Sequence, residues 1–213
     1  MEYSPITQPV GQGVDSRALQ AVMRMVSRVE RRNQPQVFAH VQPHAHATAR
    51  LARLFAAECS RGKRHYCPTL DEIEFGALMH DIGKYFTAPS VLLKPAALDE
   101  EEAAVMRLHS ERGATAISQL PAMTSHIYQI VLHHHEHWDG SGYPSGLHGL
   151  AIPLGARIVS VVDVYTSLRA RRTYKPTLTK WEAIIKLTEM AGRELDPVLV
   201  EDFVRLVCDT SQR

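Results

Sequence analysis

Apolar side chains recur at three- and four-residue spacing through most of the chain, and stretches of strict alternation are absent. This spacing puts apolar residues on one face of an α-helix, whereas strict alternation is typical of half-buried strands. The pattern therefore predicts an all-α fold with six to eight helices. The predicted helices cover roughly 17–32, 43–61, 70–82, 99–119, 123–137, 153–171, a stretch from 179, and 196–208.

Signals at the ends of these stretches support the prediction. Thr69–Glu72 and Thr179–Glu182 have the pattern of capping boxes, in which the first and fourth residues satisfy each other's backbone amides. Pro43 suits a first helical position, and Gly83 suits a helix terminator. Asp139–Gly146, with the sequence DGSGYPSG, is dense in turn-forming residues and predicts one long loop.

The chain of 213 residues is long enough for one domain with a substantial core. We expect an N-terminal lead-in and helix over residues 1–35, and the main domain over 36–213. The first helix is either a plain packing helix or a dimerisation element, and the second alternative would give a homodimer.

The composition excludes a strong general affinity for polyanions, because the net charge is only +1. A negatively charged ligand would need a local cluster of positive side chains, and we expect no nucleic-acid partner. Cys59, Cys67 and Cys208 form neither a CxxC pair nor an even disulfide set. The sequence shows no signal-peptide pattern and no apolar run long enough to span a bilayer. These features predict a cytoplasmic protein.

Histidine is the unusual component, with 12 residues in the chain and four of them between positions 133 and 137. Successive helical residues point about 100° apart, so these four side chains cannot all face one site. An adjacent pair can flank two neighbouring metal ions, or His133 and His137 can share one helix face. A cluster of this density favours metal binding over a solvated surface.

Two carboxylates lie in apolar surroundings. Asp163 lies within the apolar run Ile158–Tyr165, and Asp81 follows His80 at the end of an apolar helix face. Burying an ionised carboxylate is costly unless a cation compensates the charge. For Asp163 the alternatives are a metal ion and a buried salt bridge to arginine. For His80 and Asp81, a hydrogen-bonded core histidine and a turn residue remain the alternative.

Taken together, these motifs and their order resemble the HD-GYP family, a branch of the HD-domain metal-dependent phosphohydrolases. The resemblance covers roughly residues 40–210 and implies an HD-domain helical bundle with a long loop, here called the GYP loop (residues 139–146). The matching segments are His80–Lys84 (HDIGK), His109, His134–Glu136 (HHE), Trp138–Pro144 (WDGSGYP), Asp163–Tyr165 (DVY) and Arg172–Lys175 (RTYK).

The resemblance also implies a set of metal ligands in which one aspartate, Asp81, bridges two ions. The family has a further histidine ligand on the preceding helix, and His40, His44 and His46 compete for that position. The apolar residues that follow favour His44. Some relatives hold a third ion with a glutamate four residues earlier; here that position is His40, so we expect two ions. The expected ligands are His44, His80, Asp81, His109, His134, His135 and Asp163.

The resemblance points to iron or manganese as the divalent metal. Imidazole and carboxylate ligands without a thiolate are compatible with this choice, and they also suit zinc or nickel.

The implied activity is hydrolysis of cyclic di-GMP to linear pGpG, with GMP as a further product, by a metal-bound hydroxide. Asp81 and Lys84 take the catalytic positions, with Lys84 neutralising a phosphate oxygen. Lys84, Tyr143, Arg172 and Lys175 take positions that contact the substrate. A plain helix-end charge remains the alternative for both Lys84 and Arg172.

Two other functions remain open at this stage. The chain is either a phosphodiesterase for another cyclic dinucleotide, or a non-catalytic sensor or adaptor of cyclic dinucleotides. The second would bind protein partners through the GYP loop.

Overall fold

A computed structural model of the chain describes residues 24, 34–61, 68–120, 123–170 and 177–209. Within these ranges the chain forms nine α-helices and no strand beyond an isolated bridge, which confirms the all-α fold. The α-helices are α1 (Pro35–Cys59), α2 (Leu70–Met79), α3 (Pro89–Leu92), α4 (Glu100–Arg107), α5 (His109–Ile117), α6 (Ser125–His133), α7 (Leu154–Arg169), α8 (Lys180–Met190) and α9 (Pro197–Asp209). Two 3-10 helices cover Ile82–Phe86 and Gly149–Ala151.

Before Gln34 the structure describes only Arg24. The predicted first helix and the predicted N-terminal region over residues 1–35 therefore lie almost entirely outside the described residues. Both stay predictions. No helix within the described ranges has the length and apolar character that crossing a bilayer requires.

Helix α1 begins earlier than predicted, and Pro43 lies inside it rather than at its start. Pro35 occupies the first turn, where a missing amide hydrogen leaves no hydrogen bond unmade. Val37, Val41 and Ala45 form a buried stripe that runs past Pro43, which is itself exposed. The helix continues because packing along this stripe outweighs the loss of one hydrogen bond at the proline.

The single helix predicted over residues 99–119 is divided in two at Leu108. The Nδ1–H of His109 donates a hydrogen bond to the carbonyl oxygen of Met106 at 2.7 Å, within this turn. Similarly, α6 ends at His133 rather than near residue 137. Both departures occur at histidines, and the tertiary contacts of those histidines are described below.

Gly83 does not terminate a helix as predicted, because α2 already ends at Met79 and Gly83 lies in the following 3-10 helix. A Cβ atom at position 83 would overlap the carbonyl oxygen of His109. Glycine is therefore required so that the backbone of this segment can contact α5 directly.

Helices α1, α2 and α7 form the centre of the bundle, and α6 and α9 pack against them. The main core cluster includes Phe55, Ile73, Ile158 and Phe203, all fully buried. The capping boxes predicted at the starts of α2 and α8 are both present.

Glu72 links the start of α2 to α6, and it offers a test of this arrangement. Its carboxylate accepts hydrogen bonds from the backbone amide of Thr69 at 2.7 Å and from His126 Nδ1 at 3.1 Å. Burial opposes ionisation of Glu72, but the hydrogen bonds from His126, Thr124 and Thr69 outweigh it and lower the pKa to about 2.

We predict that Glu72→Gln lowers the free energy of unfolding at neutral pH by about 1–2 kcal/mol, because the cap and the contact with His126 are weakened. The pKa of Glu72 is lower in the folded chain than its ordinary value of 4.5. Its contribution is therefore full above pH 4.5 and is lost as the pH falls toward 2. Denaturant unfolding across this range measures both effects.

Glu74→Gln is the matched control for this prediction. Glu74 lies on the same helix, but its side chain is 46% exposed and pairs with Arg53. We expect a change within about 0.5 kcal/mol there. Equal losses in the two variants would contradict the role assigned to Glu72.

Candidate metal centre

The predicted ligands lie where several helix ends meet beside the middle of α7. His80 and Asp81 follow the end of α2, and His109 begins α5. His134 and His135 follow the end of α6. His44 and Asp163 come from the interiors of α1 and α7 and close the site from the other side.

These side chains form two neighbouring groups. Within each group the candidate ligand atoms all lie within 4.8 Å of one another. The first group is Asp81, His109, His134 and His135, and the second is His44, His80 and Asp163. The Asp81 carboxylate lies between them, because its Oδ2 is 3.3 Å from His80 Nε2 and its Oδ1 is 3.5 Å from His109 Nε2.

Three histidines are oriented by the same local contact. Nδ1 of His80, His109 and His134 lies 2.6, 2.7 and 2.9 Å from the carbonyl oxygen three residues earlier. A carbonyl oxygen can only accept a hydrogen bond, so Nδ1 carries the proton in each ring. In the neutral form of each ring Nε2 then has a lone pair directed into the cluster, and this is the form of imidazole that binds a metal.

The structure distinguishes among the three histidines that competed for the position on α1. His44 Nε2 lies 2.7 Å from Asp163 Oδ1, whereas His40 and His46 are exposed. Asp163 is also 3.7 Å from His80 Nε2. Among the described residues its ion-pair partners are therefore imidazoles, and the alternative of a buried salt bridge to arginine is not observed.

Two buried atoms of the cluster make no hydrogen bond with any described residue, namely His80 Nε2 and Asp81 Oδ1. His80 is fully buried, and Asp81 is only 3% exposed. A buried polar atom without a partner is costly, and a metal ion bound by each group would satisfy the atom that lies in that group. The residues therefore fit a divalent metal.

The charges of the cluster favour a bound cation. Burial lowers the pKa of His134 well below its ordinary value and that of His135 to about 3, so both rings are neutral at pH 7. Burial also opposes protonation of His80, but the carboxylates of Asp81 and Asp163 outweigh it and raise its pKa to about 9. His80 and Lys84 hold the pKa of Asp81 well below its ordinary value despite its burial. His44 and His80 do the same for the pKa of Asp163. The ionised carboxylates and the neutral rings of His134 and His135 are the ligand forms a metal requires, and a cation bound at His80 would take the place of its Nε2 proton.

Two of the predicted substrate-binding residues border the cluster. The Lys84 ammonium lies 2.6 Å from Asp81 Oδ2, and its side chain is 25% exposed. The ring of Tyr143 stacks on His135 with centroids 4.9 Å apart. The other two, Arg172 and Lys175, lie outside the described residues.

The two outer histidines of the 133–137 cluster have partners elsewhere. His133 Nδ1 lies 3.3 Å from Glu136 Oε1, and His137 Nδ1 lies 2.9 Å from Ser141 Oγ. The structure therefore brings the adjacent pair His134 and His135 into the site, rather than the pair His133 and His137.

Glu136 belongs to the matching HHE segment, but no role was assigned to it from the sequence. Glu136 is buried, and its two carboxylate oxygens accept hydrogen bonds from the backbone amides of Ser145 and Leu147 at 2.7 and 3.0 Å. The only signal in the sequence is an acidic residue placed between the histidine pair and the loop.

Comparison with known proteins agrees with this geometry. The sequence profile of the HD domain family matches residues 33–199. The chain belongs to the HD-domain family. HD domains of the phosphohydrolase type bind divalent metal, and this chain has the corresponding cluster of histidine and aspartate side chains.

Named relatives narrow the resemblance within HD domains. A cyclic di-GMP phosphodiesterase of Vibrio cholerae is 42% identical over 134 residues, which is 60% of this chain and 27% of the relative. A 3′3′-cGAMP-specific phosphodiesterase 2 of the same organism is 35% identical over 181 residues, which is 84% of this chain and 33% of the relative. The predicted HD-GYP-type resemblance is thereby confirmed. This chain spans about a quarter to a third of the length of these relatives.

A solved structure supports the fold. An HDG"Y"P protein from Bdellovibrio bacteriovorus superimposes with a TM-score of 0.65 over 91% of this chain and 65% of that protein, at 16% identity. The architecture of helices described above is therefore that of an HD domain.

We predict that His44→Ala removes the metal held by the second group, so that the metal content falls by about one ion per chain. His46→Ala is the matched control, because His46 lies on the same helix but is exposed. Elemental analysis of the purified, dialysed variants measures the content. An unchanged metal content in the His44 variant would show that His44 is not a ligand, and an equal loss in the His46 variant would show that the effect is not specific to His44.

Proposed function

We propose that this HD domain is a metal-dependent phosphodiesterase that hydrolyses cyclic di-GMP to linear pGpG, with GMP as a further product. The observation that carries the proposal is the pair of ligand groups joined at Asp81, whose Oδ1 is buried and accepts no hydrogen bond from the part of the chain that the structure describes. The relatives named as cyclic dinucleotide phosphodiesterases support the choice of substrate class.

The proposed centre holds two divalent ions, of which iron or manganese is our choice. Asp81, His109, His134 and His135 would hold one ion, and His44, His80 and Asp163 the other. Asp81 lies between the groups and would bridge them. A pair of divalent ions supplies a water activated at neutral pH and positive charge against the phosphate oxygens.

The chain's own side chains would bind and orient the phosphodiester beside this centre. Lys84 lies at the border of the cluster and carries a positive charge that can neutralise a non-bridging phosphate oxygen. Tyr143 is held on His135 and presents its other face for stacking against a base. Arg172 and Lys175 complete the proposed substrate site on the basis of the sequence motif alone.

A second cyclic dinucleotide is favoured by one observation. The relative named for 3′3′-cGAMP matches 84% of this chain, a larger share than the 60% matched by the relative named for cyclic di-GMP. We therefore retain 3′3′-cGAMP as an alternative substrate.

The remaining parts of the proposal come from the sequence. We propose a homodimer formed through residues 17–32, and protein partners that bind the GYP loop, where Ser141, Ser145 and Gly146 are exposed. We also propose a cytoplasmic location, on the basis of the cysteine usage in the sequence.

We predict that Lys84→Met lowers kcat for the cyclic dinucleotide by about a hundredfold, because one positive group is removed from beside the reacting phosphate. The metal content should stay at the wild-type level. Lys94→Met is the matched control, since Lys94 has a similar exposure of 30% and pairs with Glu102. Wild-type kcat in the Lys84 variant would contradict the assigned role.

We predict that iron- or manganese-loaded protein converts cyclic di-GMP to pGpG, and that Asp81→Ala abolishes both metal loading and turnover while keeping the helical circular dichroism signal. Chromatography of timed reactions with cyclic di-GMP and 3′3′-cGAMP in parallel identifies the preferred substrate and the final product. Tight binding of cyclic di-GMP by the same loaded sample without any turnover would favour a sensor over an enzyme.

A further inference from the structure

Glu136 is a fully buried acid next to the histidine pair, and its side chain is not directed at the metal centre. The side chain has 0% exposure, and its Oε1 also lies 3.3 Å from His133 Nδ1. A carboxylate this deeply buried is costly unless hydrogen bonds satisfy its oxygens. The hydrogen bonds made by Glu136 therefore show what it stabilises.

The partners of Glu136 lie in and just beyond the GYP loop. The amides of Ser145 and Leu147 are 9 and 11 residues further along the chain, and each donates to a different oxygen of the carboxylate. One side chain thus joins the returning end of the loop to the turn that carries His134 and His135. Hydrogen bonds to a charged acceptor are stronger than those between neutral groups.

The tip of the GYP loop, at Gly142 and Tyr143, lies against the metal centre. The Tyr143 amide donates to the carbonyl oxygen of His135 at 3.1 Å. A Cβ atom at Gly142 would overlap the backbone amide of His137, so the loop contacts the chain beside His135 directly. The Tyr143 ring is consequently fixed on His135, at an interplanar angle of 30°.

We propose that Glu136 is a positioning residue for substrate binding, which acts by fixing the returning end of the GYP loop so that Tyr143 stays stacked on His135 beside the phosphodiester site. This inference rests on the proposed function for its substrate. Glu136 itself touches neither substrate nor metal. Its effect reaches the substrate through Tyr143.

The first test is Glu136→Gln in the full chain, which keeps the size of the side chain but puts an amide donor opposite one of the two loop amides. We expect KM for cyclic di-GMP to rise about tenfold and kcat to stay within about threefold, because the contact with Tyr143 is used in both the bound and the transition state. Hydrogen exchange at the Ser145 and Leu147 amides should become faster, and the metal content should not change.

Glu72→Gln separates positioning from general stability. Glu72 is also buried and also accepts backbone and histidine hydrogen bonds, but it lies at the far end of α2 from the metal centre. The same substitution there should lower the unfolding free energy and leave KM unchanged. If Glu136→Gln fails to fold, Glu136→Asp keeps the charge and shortens its reach, and a smaller rise in KM is then expected.

A double-mutant cycle with Tyr143→Leu decides whether the effect passes through the tyrosine ring. In the Tyr143→Leu background, Glu136→Gln should add little to KM. A full further rise in KM, or wild-type KM and amide exchange in the single Glu136 variant, would overturn the inference.

The proposed function and this inference fail in different ways. A wild-type protein that binds cyclic di-GMP without hydrolysing it contradicts the enzymatic proposal, and the same cycle is then measured on the Kd. Normal wild-type turnover with unaltered KM in the Glu136 variants contradicts only the inference. If the wild-type protein neither binds nor hydrolyses a cyclic dinucleotide, both are overturned.

Discussion

The arrangement of the helices depends on one electrostatic requirement, the compensation of two largely buried negative charges on the carboxylates of Asp81 and Asp163. Asp81 and Asp163 lie in one apolar interior, where like charges repel and desolvation is costly. The imidazoles around them and the ammonium of Lys84 compensate part of this charge. The surrounding helices end or break at this point, so that side chains with the required charge and lone pairs reach the same small volume.

This requirement explains where the helical pattern is interrupted. At His80, His109 and His134, Nδ1 binds the carbonyl oxygen of the preceding turn, and each histidine lies at a helix end. The interruptions serve a geometric purpose, because they direct Nε2 of each ring inward. By contrast, His44 and Asp163 come from uninterrupted helices, whose rigid interiors fix the opposite side of the centre.

The sequence was sufficient for features that depend on local interactions. The capping boxes at Thr69 and Thr179 were predicted because both partners lie within four residues. The break at Leu108 was not predicted, since it depends on His109 being required inside the fold. Pro43 was misplaced for a related reason, because the buried stripe that carries α1 past it is defined by tertiary packing.

In the candidate site, too, the sequence identified some features, and others depend on tertiary contacts. The family motifs named the chemically distinctive residues, and the structure brings those that it describes into one cluster. The spacing of the histidines alone left His40, His44 and His46 in competition; the apolar residues that follow favoured His44, and the orientation of α1 brings its Nε2 to 2.7 Å from Asp163 Oδ1. Glu136 was named within the HHE segment but given no role, because its contacts with the amides of Ser145 and Leu147 have no signature in the sequence.

The contact between Gly83 and His109 has a consequence for the spacing of the proposed centre. Because no side chain separates them, the two segments that carry Asp81 and His109 touch through their main chains. A methyl group at position 83 would push these backbones apart, and with them the carboxylate and the imidazole that they carry.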